Sequence, residues 1–250
     1  MEKATKEKKK VSCFNEYDKL KKVVMCQPQY MNIRNVINET QKHFQDEGIH
    51  IQRALKQHDH FVKTLLSYEI EVVLLPYHAK YPEQVFTRDI GFTLGETIFV
   101  ADMAHDVRKG EENVLRQWLE DEGISYYNII GDQIEGGDVI IDRDTIYIGL
   151  SNRTNREAVN HLSGLLNKQF DVVSIDFPEK YLHLDCVMNV ISEKTALIFP
   201  EALKNSDITM LASRYDLIEV SQEEQFTLGT NVLSIGNHTI ISLPVNTKVN

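Results

Sequence analysis

The chain has 250 residues, 42% of them hydrophobic and 26% charged, with 12 Gly, 6 Pro and 3 Cys. These fractions belong to a soluble globular protein and exclude collagen-like, disordered and disulfide-scaffold classes. A net charge of −10 argues against a bulk electrostatic hold on nucleic acid or on an anionic membrane, and mildly favours a cationic substrate.

The chain opens with the basic run MEKATKEKKK, which leads into Val-Ser-Cys-Phe-Asn with no apolar stretch behind it. Such a segment reads as a solvated, flexible end over residues 1–14, and as neither a signal nor a transit peptide. No apolar run approaches the ~20 residues that span a bilayer. Cys13, Cys26 and Cys186 form no CxxC pair and no metal-ligand spacing, so a reducing cytoplasm is expected.

From about Tyr17 onward a repeat governs the sequence. A degenerate first unit has a strand at Lys22–Met25, an insertion through residue 48, a helix around Ala54–Leu66 and a strand at Glu71–Leu75. Four further openings follow: Asp89-Ile-Gly-Phe, Asp138-Val-Ile-Ile, Asp185-Cys-Val-Met and Asn231-Val-Leu-Ser, whose leading residues are 49, 47 and 46 positions apart. Each runs into turn-prone residues and then a second apolar strand that begins with threonine: Thr97, Thr145, Thr195 and Thr239. That is hairpin chemistry. Helical spacing comes next, with Val114, Leu115, Trp118 and Leu119 in the second unit. Ala158, Leu162, Leu165 and Leu166 supply it in the third, and Ala202, Leu203, Ile208, Leu211 and Ala212 in the fourth. Closing strands are expected at Ser125–Ile129, Asp171–Ile175 and Leu217–Val220. The result is five ββαβ units in one domain over residues 15–250. Each is too small to bury its own apolar face, so the units must stack or close into a ring.

Core packing does not explain the polar residues between units. They are Phe86-Thr-Arg-Asp89, Glu135-Gly-Gly-Asp138, Gly149-Leu-Ser-Asn-Arg153-Thr154 and His183-Leu-Asp185. They hold equivalent places in successive units, so a ring would aim them at one centre. An extended backbone would put His183 and Asp185 on one face, where the carboxylate would raise the imidazole pKa. The glycine pair after Glu135 marks close approach to a ligand or to another chain segment. Asp89, Glu135 and Asp185 could hold a guanidinium by charge-assisted hydrogen bonds, while Arg108 and Arg153 offer forks that fit a carboxylate.

These motifs, in this order over residues 15 to 250, resemble the guanidine-modifying superfamily of arginine deiminases, dimethylarginine dimethylaminohydrolases and amidinotransferases. Pro28-Gln-Tyr30-Met-Asn-Ile33 looks like the small bacterial dimethylarginine dimethylaminohydrolases, whereas His183-Leu-Asp185 has the deiminase form. The resemblance implies an α/β fold, a five-unit ββαβ propeller (pentein), in agreement with the repeat. It also implies a small guanidino substrate with no metal or organic cofactor, and leaves a homodimer open. Asp89 and Asp185 would bind the guanidinium nitrogens, Glu135 would support His183, and Arg108 and Arg153 would bind the substrate carboxylate. His183 would protonate the leaving amine and then activate water. The superfamily's cysteine nucleophile lies in a Gly-rich turn near the C-terminus, and none of the three cysteines matches that place. Cys186 follows Asp185, but an extended strand would turn it to the opposite face, as a buried apolar residue. The fifth unit offers only its hairpin and Val245-Asn-Thr-Lys-Val-Asn250. By analogy with the other units, a helix and closing strand of roughly 25 residues, then the cysteine, are expected beyond it. The function expected is hydrolysis at the guanidinium carbon of an arginine derivative such as dimethylarginine. Arginine deimination, amidino transfer and non-catalytic guanidine binding stay open.

Overall fold

A computed structural model of the chain describes residues 10–166 and 169–250. Most of the basic opening run, residues 1–9, lies outside them. From Cys13 the segment is held: Cys13 and Gly95 exchange both backbone hydrogen bonds, at 2.9 and 2.7 Å.

The first unit has strand β1 (Lys22–Cys26), the short helix α1 (Glu39–His43) inside the insertion, helix α2 (Ile51–Ser67) and strand β2 (Glu71–Leu75). The second has β3 (Gly91–Leu94), β4 (Thr97–Val100), α3 (Glu111–Glu122) and β5 (Tyr126–Asn128). In the third, β6 (Val139–Asp142), β7 (Thr145–Leu150), α4 (Arg156–Leu165) and β8 (Asp171–Asp176) repeat that layout. The fourth has β9 (Met188–Ser192), β10 (Thr195–Ile198), α5 (Asn205–Ala212) and β11 (Asp216–Glu219). Helix α6 (Gln222–Phe226), which the apolar periodicity did not indicate, leads to the hairpin of β12 (Leu233–Gly236) and β13 (Thr239–Ile241). All four threonine-led strands begin at their threonine.

The three middle sheets share one topology. A central strand pairs antiparallel with the strand before it and parallel with the strand after its helix, in the orders β3-β4-β5, β6-β7-β8 and β9-β10-β11. The outer two are partial. Strands β1 and β2 pair in parallel, while β12 and β13 form an antiparallel pair.

Alternating residues on these strands serve two different cores, which is why the strands read as continuous apolar runs. In β6, Val139 and Ile141 face the second unit beside Phe92 and Ile134, whereas Ile140 faces the fourth beside Met188 and Val190. Cys26 and Leu75 of the first unit pack on Val100 and Leu115 of the second. Leu197 and Val220 of the fourth pack on Val232 of the fifth. Finally Leu65 and Ile70 of the first unit bury Ile235 of the fifth, with Val23 and Leu233 against them. Five interfaces therefore link the units in succession and return to the start, so the fold is a five-unit α/β propeller. Burial of each large apolar side chain contributes about 1.5–3 kcal/mol, and every unit draws that contribution from two neighbours. Among the described residues, no helix is long and apolar enough to cross a membrane.

Candidate active site

The motif residues lie where the second, third and fourth units converge. Glu135, Gly136, Gly137 and Asp138 are buried, the last three as a single 3-10 turn. The two glycines are there for close approach. A Cβ at Gly136 would sit 2.2 Å from the Arg88 carbonyl oxygen, and one at Gly137 would sit 2.7 Å from Cγ and Nδ1 of His183. The imidazole thus rests against bare backbone.

His183 is buried between two carboxylates: its Nε2 lies 2.9 Å from Oε2 of Glu135 and its Nδ1 3.6 Å from Oδ1 of Asp89. Burial alone would favour the neutral ring. Asp89, Glu135, Asp138 and Asp185 together outweigh it and raise its pKa from 6.5 to about 10. His183 is therefore an imidazolium at neutral pH, with Nε2 donating to Glu135 and Nδ1 facing Asp89 beyond hydrogen-bond distance. Asp89 is held below the usual carboxylate range, because the charges of His183 and Arg108 overcome its burial. Asp138 and Asp185 go the other way, as burial lifts both to about 6.

The His183–Asp185 reading needs correcting. Leu184–Cys186 forms a 3-10 turn with His183 extended before it, closed by a hydrogen bond from the Cys186 N–H to the His183 carbonyl at 3.1 Å. The two side chains therefore do not share a strand face. Asp185 has Arg88 near it, with Nε of Arg88 3.9 Å from its Oδ2, while His183 meets Glu135 and Asp89. The same turn leaves Cys186 beside Asp185, with Sγ 3.6 Å from Oδ1, rather than across a strand from it. The thiol is buried as expected, and its pKa is driven well above 9.0 by burial and then by Asp185.

Arg108 and Arg153 are both buried in the same region. Arg108 donates to Oδ2 of Asp89 at 2.6 Å, and its Nε and second terminal nitrogen donate to Oε2 of Glu111 at 3.1 and 2.9 Å. Its fork is thus engaged by the protein's own carboxylates. Arg153 donates to the Ile37 carbonyl of the insertion at 3.0 Å. Its other terminal nitrogen lies 3.8 Å from Glu135, buried and without a hydrogen-bond partner. Asp89, Arg108, Arg153, His183 and Asp185 all line one central cleft.

Two further buried carboxylates are unannounced by any motif. Glu111 is fully buried, and burial raises its pKa to about 7 against the opposing pull of Arg108. Its i,i+3 spacing from Arg108 was the available signal. Glu83 lines the cleft and is raised by burial, with Nε2 of Gln41 2.6 Å from its Oε1. Gln41 belongs to helix α1, so the link is tertiary.

Asp89, Glu135 and His183 bring ligand atoms within 4.8 Å of one another. A divalent cation there would have to displace the ring proton of His183 and the guanidinium on Asp89. The arrangement is better matched to a planar organic cation, which can share carboxylates with those groups.

A family model described as "N,N dimethylarginine dimethylhydrolase, eukaryotic" matches residues 27–249. The chain is 52% identical over 245 residues to the uncharacterized protein YkgA of Bacillus subtilis, covering 98% of this chain and 85% of that protein. Among solved structures, the substrate-bound N-terminal domain of the cyanobacterial arginine dihydrolase ArgZ superposes with a TM-score of 0.79 at 23% identity, over 91% of this chain and 87% of that one. A Pseudomonas aeruginosa DDAH complexed with citrulline matches with a TM-score of 0.75 at 18% identity, over 92% and 86%. Both likenesses concern the fold.

Proposed function

The chain belongs to the N,N dimethylarginine dimethylhydrolase family, and on that basis we propose that it takes part in hydrolysis at the guanidinium carbon of an arginine derivative, dimethylarginine first. One observation carries the reading: a buried imidazolium held by Glu135 and Asp89, at 2.9 and 3.6 Å, beside the buried Asp185 and Arg153 in one cleft. A guanidinium suits this surround, since its N–H edges match the carboxylate oxygens that His183 and Arg108 leave free.

In this reading Asp89 and Asp185 hold the substrate guanidinium, and Arg153 uses its unpartnered nitrogen on the substrate carboxylate. A thiolate attacks the guanidinium carbon, and the C–N bond to the leaving amine breaks as His183 gives that nitrogen its proton. Now neutral, His183 takes a proton from water, which adds to the thiouronium carbon. Expulsion of the thiolate, with loss of the hydroxyl proton to solvent or the released amine, completes the cycle and gives a neutral ureido product. Splitting the substitution into two steps lowers each barrier, and a held general acid–base contributes typically 10²–10⁴-fold.

None of the cysteines at hand suits the attacking role. Cys13 and Cys26 are both raised to about 11, chiefly by burial, and Cys186 is raised as well. We assign the nucleophile to a segment following Asn250. One feature supports this: β13 has no parallel partner among the described residues, where β4, β7 and β10 each have one.

The test begins with the coding sequence past residue 250. A protein carrying a downstream cysteine is then given dimethylarginine and, because ArgZ is an arginine dihydrolase, arginine. Citrulline with dimethylamine is the expected outcome. Citrulline with ammonia would make arginine the substrate, and amidino transfer to an added amine would make the protein a transferase. No turnover of any guanidine would reject the reaction class. A stop codon at 251, with guanidine binding retained in calorimetry, would leave a non-catalytic binder.

A further inference from the structure

Asp138 is fully buried and does not line the cleft, yet its carboxylate accepts hydrogen bonds from two separate segments. Oδ1 takes the Leu184 N–H at 2.9 Å, the first amide after His183. Oδ2 takes the Ser151 hydroxyl at 2.6 Å. The Ser151 hydroxyl is used again, and its loop continues the link. Ser151 Oγ accepts the N–H groups of Arg153 and Thr154 at 3.0 and 3.2 Å. Thr154 Oγ1 accepts the N–H of Glu135 at 3.2 Å.

We propose that Asp138 is a positioning residue for the proton-transfer group, its carboxylate fixing the turn that carries His183 and, through Ser151 and Thr154, the backbone that carries Arg153 and Glu135. A hydroxyl or amide in its place could not take one donor on each of two oxygens, because only a carboxylate offers two oxygens with about four acceptor positions and no donor of its own. The bonds are charge-assisted and dry, so they hold geometry more firmly than neutral ones. Gly149 makes room for the group, since a Cβ there would stand 2.5 Å from Oδ1 of Asp138 and 2.8 Å from Cβ of Leu184. The role matters for function through the reading of His183 given above, but it can be tested without turnover.

The experiment compares Asp138→Asn and Asp138→Ala by NMR of the ring nitrogens of labelled histidine. Both variants remove the same charge, so both lower the apparent pKa of His183. Only the asparagine still offers an oxygen to the Leu184 N–H. In Asp138→Asn, the Nε2–H signal bonded to Glu135 is expected to persist. In Asp138→Ala, it is expected to be lost or to exchange with water at least ~10-fold faster, about one hydrogen bond's worth. Ser151→Ala, which leaves the charge and the Leu184 bond in place, is expected to raise exchange to a smaller extent, and it decides the matter if Asp138→Ala does not fold. Equal signals and exchange rates in Asp138→Asn and folded Asp138→Ala would overturn the proposal, as would a Ser151→Ala protein with wild-type exchange should Asp138→Ala not fold. Failure of guanidine turnover alongside the expected NMR result would reject the reaction while leaving this role intact.

Discussion

The contact between Gly137 and His183 makes Gly137→Ala a sharp perturbation. The added Cβ would lie 2.7 Å from Cγ and Nδ1 of His183 and 2.9 Å from Oδ1 of Asp89, whereas ordinary van der Waals contact starts at 3.4 Å. The ring must therefore retreat by 3.4 − 2.7 = 0.7 Å. Along the line to Glu135 that shift would stretch the 2.9 Å bond to about 3.6 Å, past the reach of a hydrogen bond. Overpacking a dense core costs about 1–3 kcal/mol, and weakening a bond to a charged group adds to that, for a total of roughly 2–4 kcal/mol. Gly164 in α4 is the control, because a Cβ there meets nothing within 4 Å. Gly164→Ala is expected to stabilise by about 0.5–1 kcal/mol, the usual difference inside a helix. Urea denaturation at pH 7 measures both, and histidine NMR follows the ring. A Gly137→Ala protein as stable as wild type, with its His183 signals unmoved, would refute the packing argument.

Stability should also depend on alkaline pH in a way that traces to His183. Its folded pKa of about 10 exceeds the ordinary 6.5, so the stabilisation is complete below 6.5 and is lost as pH rises through 10. The slope from this group is at most about 1.4 kcal/mol per pH unit. Urea midpoints at pH 7, 8, 9 and 10 should fall more steeply for wild type than for His183→Gln, and parallel curves would refute the assignment. Arg108→Met should destabilise by about 3–5 kcal/mol, because it leaves Asp89 and Glu111 buried without their cation. Adding Glu111→Gln should restore part of that loss, and a double variant no more stable than Arg108→Met would show that the two side chains act independently.

Much of the architecture was legible in the sequence because it is set by local pattern. Threonine-led β-branched runs after turn residues gave the second strand of each hairpin, and Glu71–Leu75 was placed to the residue. What escaped depends on contacts between units. Helices α1 and α6 span five residues each, too short for apolar periodicity, and both start at a side-chain cap, Asn38 and Ser221. The turn at Leu184–Cys186 replaces the expected extended segment because the Asp138 carboxylate, 46 positions away, takes the Leu184 N–H. Spacing brought Asp89, Glu135, His183 and Asp185 to one region, yet it could not tell which carboxylate the imidazole would meet. Nor could it reveal that Arg108 spends its fork on Asp89 and Glu111, since a fork for a substrate and a fork for the protein look alike in sequence.

The return of the fifth unit onto the first has a consequence for the order of folding. Three interfaces join units whose openings lie 46 to 49 positions apart in sequence, whereas the closing interface sets Ile235 against the first unit near Val23, 235 − 23 = 212 positions away. Chain entropy charges that closure roughly (3/2)RT ln(212/47), about 1.3 kcal/mol beyond a neighbour contact, so it is the slowest to nucleate. Glu135, His183, Asp89 and Asp138 all belong to the second, third and fourth units. Their cluster can assemble from sequence neighbours alone, before the circle is shut.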